Sequence, residues 1–290
     1  MKEIDHFDFR FVGGFRMPNS YFLDLKDNQI VLFADILGFS NAILKSENVN
    51  WESNDIEGIL IKLPVIYDMI TKGDFSKEYQ KRVGIKFLWV SDSIIISTDI
   101  FNFDKLMYTL CDLINKLYCL DFSIRGAICI GKFYHKENIW GTPYIKAVEL
   151  EKNISKYPRI IISKTDFHSM KVSDIYKQYF QNTEIDEYLY FDYFECFFDM
   201  QVKENKNISN YLGTYSSFII ENFENCIKKE HQDKWRWLAR ELHNTIAKHS
   251  NYIQRMLDNS NIYSCFTGKR ILDYNEYLKM LEKGANFQVV

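Results

Sequence analysis

Phe33-Ala34-Asp35-Ile36-Leu37-Gly38-Phe39-Ser40 is the stretch on which the reading of this chain turns. Gln29 to Ile36 is an apolar run of strand length, interrupted at its end by Asp35. Leu37 to Ser40 is a turn that opens a helix over Phe39 to Lys45. A second segment, Leu88-Trp89-Val90-Ser91-Asp92-Ser93, repeats the arrangement. Strand residues Val83 to Val90 meet a tight turn at Ser91-Asp92, and Ser93 to Thr98 return as a second strand. Two carboxylates from neighbouring strand ends, beside a turn with free backbone N–H groups, suit two divalent ions on a triphosphate.

Working outward, Ile56 to Thr71 has helical spacing, with Ile59, Leu60, Leu63, Ile66 and Ile70 on one side, after a polar break at Ser46 to Asp55. Leu106 to Leu117 is an amphipathic helix, and Phe122 to Tyr134 a long strand. Gly126 and Gly131 inside that strand mark a bulge or a close approach. Pro143 to Lys152 is helical, Arg159 to Ser163 is a strand, and Tyr188 to Phe194 is one more. This order predicts an α+β sandwich of ferredoxin-like type, with helices on one face of a mixed sheet. From about residue 211 the pattern is helical, with Trp235, Leu238, Leu242, Ile246 and Ile253 as a stripe. No Pro/Gly/Ser linker precedes this part, so it is expected to pack on the core. The division expected is an N-terminal extension at 1–27, a domain at 28–200 and a helical C-terminal extension at 201–290.

The chain has 290 residues and is 47% hydrophobic, enough for a sizeable core. A formal net charge of −3 gives no basic excess, which argues against long nucleic acid as a partner. No apolar run approaches the roughly 20 residues that span a bilayer, and Met1 to His6 lacks a signal-peptide layout. A cytoplasmic protein without membrane insertion is expected. The six cysteines show no CxxC pair, so neither a disulfide framework nor a zinc site is indicated.

The ordered elements Phe-x-Asp-Ile-x-Gly-Phe-Ser, Ser-Asp on a hairpin, Arg-Gly-Ala and Trp-Gly opening a helix resemble the class III nucleotidyl cyclases, over roughly residues 28–165. Ser123-Ile124-Arg125-Gly126-Ala127-Ile128, Ile139-Trp140-Gly141, Ala147 to Glu151 and Tyr157-Pro158-Arg159-Ile160 look like the pyrimidine cyclases of bacterial antiphage (Pycsar) systems. The resemblance implies that Asp35 and Asp92, with the backbone carbonyl of Ile36, hold two Mn²⁺ or Mg²⁺ ions. It implies that Leu37, Gly38, Phe39 and Ser40 receive the terminal phosphates, and that Arg125 grips phosphate. Asp35, Asp92 and Arg125 are the catalytic candidates. It further implies a head-to-tail homodimer with its sites between subunits, and a cyclic nucleotide sensed by a separate effector in the same system.

Departures from the family pattern bear on substrate. Where adenylate cyclases carry an adenine-reading lysine, this chain has Leu88; at the second base-reading position it has Asn138, a donor and an acceptor suited to a pyrimidine edge. UTP or CTP is therefore expected over ATP. Ile145 and Glu149 stand in register with the family's transition-state Asn and Arg. Either the chain is a silent nucleotide-binding module, or it supplies charge otherwise, with Lys146 and Arg159 as cationic substitutes. An adenylate or guanylate cyclase of ordinary signalling is the remaining rival. His135 reads as a surface histidine and Trp89 as core.

Overall fold

The structure, a computed structural model, describes residues 10–12, 15–17, 25–39, 64–69, 72–73, 75–136, 138–204, 208–224 and 229–253. Ser40 and most of the helices expected over Phe39 to Lys45 and Ile56 to Thr71 lie outside them; residues 64–69 are helical. Strands β1 (Arg10–Val12) and β2 (Phe15–Met17) form a separate antiparallel ribbon. The main sheet contains β3 (Lys26–Leu37), β4 (Ile85–Val90), β5 (Ser93–Asp99), β6 (Ser123–His135), β8 (Ile160–Ser163), β9 (Phe180–Asn182) and β10 (Tyr188–Phe191), in the order β4-β5-β3-β6-β8-β10-β9. A two-residue strand, β7 (Ile139–Trp140), folds back on the end of β6.

All these pairings are antiparallel except β6 with β8. A parallel pair needs a crossover, and helix α3 (Thr142–Asn153) supplies it. Besides α3 and the helical residues 64–69, the described residues form helices α1 (Lys77–Val83), α2 (Phe103–Cys119), α4 (Lys164–Ser169), α5 (Asp174–Lys177), α6 (Tyr193–Lys203), α7 (Ser209–Glu224) and α8 (Lys229–Lys248). The mixed sheet with its helices is the expected α+β class.

One expectation is overturned. Ile30 to Ala34 are buried without the alternation of a strand open on one side, so both faces of β3 are covered. On the face that carries Phe33 and Asp35, α3 lies across β3 and β6, and Tyr144 meets the Phe33 ring edge-on at 6.0 Å. Ile30, Leu32 and Ala34 are equally buried on the opposite face. The helix α6 and the short strand β9 were not expected. A continuous aromatic run such as Tyr188 to Phe194 does not reveal where strand gives way to helix; Asp192 decides it by accepting the Glu195 N–H as an N-cap.

A buried ring cluster ties α2 to the C-terminal helices. Tyr118 has Tyr193, Phe194, Tyr215 and Phe218 within 5.0–5.7 Å, centroid to centroid. In α8, Leu238, Leu242 and Ile246 are fully buried, as their spacing leads one to expect. Among the described residues no helix is long and apolar enough to cross a membrane.

Gly126 shows why this sheet is built as it is. A Cβ there would stand 2.3 Å from the Phe33 carbonyl oxygen and 2.9 Å from Ala34 Cα. The β3–β6 register runs unbroken through it, so the glycine marks close backbone approach and no bulge. Gly126→Ala is expected to lower unfolding free energy by about 3 kcal/mol, the upper end of overpacking costs. At Gly131 the nearest atom is a Pro143 side-chain carbon at 3.2 Å, so Gly131→Ala is expected to cost much less. Urea unfolding of the two variants checks this contrast.

Candidate active site

Antiparallel pairing fixes the position of Asp35. It faces Ser93 of β5 on one side and Arg125 of β6 on the other. The β4–β5 turn is Ser91-Asp92, and Ser91 has φ +56°. A positive φ at the first central residue is the pattern that usually demands glycine in a two-residue hairpin. The Ile36 N–H donates to the Asp92 carbonyl at 2.6 Å, which ties the turn to the end of β3. The structure thereby brings Asp35, Ile36, Asp92 and Arg125 together, as the sequence led us to expect.

The chain then turns at Gly38, with φ +88° and, among the described residues, nothing within 4 Å of where a Cβ would sit. Only glycine adopts that backbone at no cost. Leu37 is half-buried, and Phe39 is buried against Phe122 at 6.5 Å, which anchors the turn.

Arg125 is not free. Its Nε donates to Glu151 Oε1 at 2.5 Å, and Nη2 contacts the same oxygen. The Arg125 Nη2 to Asp35 Oδ2 separation is 3.8 Å. Glu151 is buried, at 6% exposure, on α3. Burial, then the charges of Glu151 and Asp92, push the Asp35 carboxyl up to about 6, against the opposing pull of Arg125 and Lys234. Neither Glu151 nor Lys234 was singled out from the sequence. A signal existed for each: Pro143, Ala147 and Glu151 recur every four residues along the buried face of α3, and Lys234 stands four residues before Leu238 in the buried stripe of α8.

Asn138 stands elsewhere. It is exposed in the β6–β7 connection, where its carbonyl accepts the Lys136 N–H at 3.1 Å. Arg125 and His135 occupy nearly the two ends of β6, about 30 Å apart at strand rise. Within one chain the structure therefore does not bring Asn138 to Asp35. Trp140 nearby stacks on Tyr134 at 5.2 Å and is 40% exposed. Ile145 and Glu149 are both exposed on α3. Leu88 is half-buried on β4.

Two of the remaining readings are corrected. Arg159 is only 2% exposed, donates to both Glu184 oxygens at 2.8 Å, and lies against the rings of Tyr157, Tyr190 and Trp237. It is a structural cation held by an intramolecular carboxylate, and no substitute at the site. His135 is buried, with Nδ1 2.6 Å from Ser97 Oγ, because β6 extends past the point where a surface end was expected. Burial, with Lys86 beside it, pushes its imidazole down to about 4. Lys146 is exposed, and its charge is felt at Cys129 and Asp166. Trp89 is half-buried, 6.3 Å from the Tyr67 ring.

No family model matches the sequence, and no curated protein matches it. Solved structures do. A bacterial light-regulated adenylyl cyclase is 15% identical over 58% of this chain and 52% of its own, with a TM-score of 0.39. A second structure of a bacterial light-regulated adenylyl cyclase is 16% identical over 57% and 88%, at 0.37. An adenylate/guanylate cyclase/hydrolase from Silicibacter pomeroyi is 15% identical over 57% and 95%, at 0.34. The chain spans about half the length of the first of these. At such identities and TM-scores, the site has to be judged on its own residues.

The raised Asp35 value has a definite sign in stability. The folded state holds the proton more tightly than the unfolded chain, so ionisation of Asp35 opposes folding. Its cost is absent below about pH 4, grows as pH rises towards 6, and is constant above that. Asp35→Asn is therefore expected to stabilise the metal-free protein at pH 7.5 by about 2 kcal/mol, discounted for partial exposure, and not at pH 4. Thermal or chemical unfolding of both proteins at the two pH values checks it.

Proposed function

We propose that this chain is a nucleotidyl cyclase that converts a pyrimidine nucleoside triphosphate, UTP or CTP, to its 3′,5′-cyclic monophosphate and pyrophosphate. The observation that carries the reading is the convergence of Asp35, Asp92 and Arg125 at one end of the sheet, fixed by strand register and by the Ile36–Asp92 backbone bond.

The donor set fits hard divalent ions. Asp35, Asp92 and the Ile36 carbonyl offer oxygen only, the ligand type of Mg²⁺ and Mn²⁺. Among the described residues no cluster of three or more His, Cys, Asp or Glu side chains is placed to hold a metal, so triphosphate oxygens would complete the shell. Such ions, when bound, acidify the ribose 3′-hydroxyl and offset the charge of the phosphates. Asp35 is ionised and ready to coordinate above about pH 6. In the reaction the ribose 3′-oxygen forms a bond to the α-phosphorus, the bond to the pyrophosphate oxygen breaks, and the 3′-hydroxyl proton passes to solvent. Arg125 faces the phosphates, and the turn at Leu37-Gly38-Phe39, which Ser40 follows in sequence, receives their terminal oxygens with backbone N–H groups.

The placement of Asn138 at the far end of β6 supports a head-to-tail homodimer, in which a second copy brings its Asn138 to the base. With Leu88 apolar, this reading disfavours purines. The product would serve as a second messenger of antiphage defence, read by a separate effector in the cytoplasm. The specific observation for a second reading is the Arg125–Glu151 pair, together with exposed Ile145 and Glu149: a silent nucleotide-binding module would keep its arginine neutralised.

Incubation with all four ribonucleoside triphosphates and Mn²⁺, with products resolved by mass spectrometry, is expected to yield cyclic UMP or cyclic CMP. Cyclic AMP or GMP would overturn the base assignment, and nucleotide binding without pyrophosphate release would favour the silent module. Asp35→Ala and Asp92→Ala are each expected to reduce turnover by at least about a thousand-fold, as loss of a metal ligand does, with the fold retained by circular dichroism.

A further inference from the structure

We infer that helix α8 contributes Lys234 to the phosphate-binding site as a second cation beside Arg125, which makes the C-terminal helical region part of the active site. The inference rests on the triphosphate reading of the Asp35–Asp92 site and names a binding residue that this reading lacks.

The placement comes from the docking of α8. Trp237 stacks on Tyr157 at 5.5 Å with an interplanar angle of 10°, and meets Tyr190 edge-on at 5.6 Å. Glu241, one turn on, accepts the Tyr190 hydroxyl at 2.7 Å. Arg159 lies against the Trp237 ring, and its carbonyl accepts the Gly126 N–H at 3.0 Å. A short chain of contacts therefore runs from Trp237 through Arg159 to the residue next to Arg125. Lys234 is three residues before Trp237 and four before the fully buried Leu238. Residues at these spacings share a helix face, so the lysine leaves α8 on its docked side.

The electrostatics agree. Lys234 is half-buried, and burial and the charge of Arg125 hold its ammonium below the ordinary lysine range, against the opposing influence of Asp35, Glu230 and Glu151. It is one of the groups that act on Asp35. Glu230 stands one turn away on the same helix, yet no carboxylate among the described residues pairs with Lys234. Arg125, by contrast, is neutralised by Glu151.

Two divalent ions bring four positive charges, Asp35 and Asp92 remove two, and Arg125 with Glu151 adds none. A triphosphate carries about four negative charges, so the site is left short of cations. Glu149 occupies the helix position at which the class III resemblance implies an arginine, Lys146 is felt at Cys129 and Asp166, and Arg159 is tied to Glu184. Among the described residues Lys234 carries an ammonium with no ion-pair partner, and its charge and that of Arg125 act on each other. A lysine suits this role, since its flexible stem lets a compact charge follow the leaving pyrophosphate.

The test is calorimetric titration of the full-length protein with tripolyphosphate in the presence of Mn²⁺, alongside kinetics with the accepted nucleotide. Lys234→Gln is expected to weaken tripolyphosphate binding about ten-fold or more, the effect of one charge-assisted contact, with an unchanged melting temperature. Lys234→Arg is expected to restore most of the affinity, and Lys229→Gln, on the exposed start of the same helix, to behave as wild type. Should the glutamine variant not fold, Lys234→Met is measured in its place. Affinity within about two-fold of wild type in the neutral variant, or no tripolyphosphate binding by the wild type, would overturn the assignment. Lys234-dependent binding without any cyclic product would instead sink the cyclase reading and leave the cation site standing. Turnover unaffected by Lys234→Gln would do the reverse.

Discussion

The hydrogen-bond register of β3 between β5 and β6 is the constraint on which the site depends. Strand pairing is all-or-none in its consequences, because a slip of one residue moves every side chain to the other face. With Asp35 opposite Ser93 and Arg125, the carboxylate, the hairpin turn and the guanidinium have no freedom to separate. Gly126 lets β6 come close enough to β3 for that register to form. The Ile36–Asp92 bond then locks the turn to the strand end. Loss of either contact would move a site residue before it touched any substrate.

The same geometry accounts for the electrostatic strain at this point. Asp35, Asp92 and Glu151 put like charges close together in a partly dry place, and Asp35 responds by holding its proton up to about pH 6. Proteins retain such arrangements where a ligand relieves them. In the reading proposed here divalent cations do so, and Glu151 fixes Arg125 until phosphate arrives. The C-terminal helices are linked to α2 by the Tyr118 ring cluster and to Tyr157, just before β8, by Trp237.

Much of this was legible in the sequence because it is local. Asp35 at the end of an apolar run, Ser91-Asp92 between two strand-like runs, and Arg125 before a glycine each announce themselves within a few residues, and strand pairing assembles them. Glu151 and Lys234 escaped because their roles come from tertiary contacts between distant elements. Each also looks, one residue at a time, like an ordinary charge on an amphipathic helix. The face periodicity of Pro143, Ala147 and Glu151, with Glu151 buried, shows how such a residue is found: a charge in register with the apolar stripe has to meet a partner inside. Arg159 failed in the opposite sense. As a cation close to the expected site it reads as a substitute for the missing transition-state charge, yet its neighbours Tyr157 and Tyr190, the Trp237 ring and Glu184 make it part of the core. Covering both faces of β3 is announced locally by its unbroken apolar run, but that α3 supplies one of the covers is a tertiary contact.

The most direct measurement is a crystal structure of the protein with Mn²⁺ and a non-cyclisable pyrimidine triphosphate, with anomalous diffraction used to locate the metal. The account expects two anomalous peaks between the carboxylates of Asp35 and Asp92, each also touching phosphate oxygens. Peaks placed away from both aspartates, or nucleotide bound with neither aspartate near a metal, would contradict it.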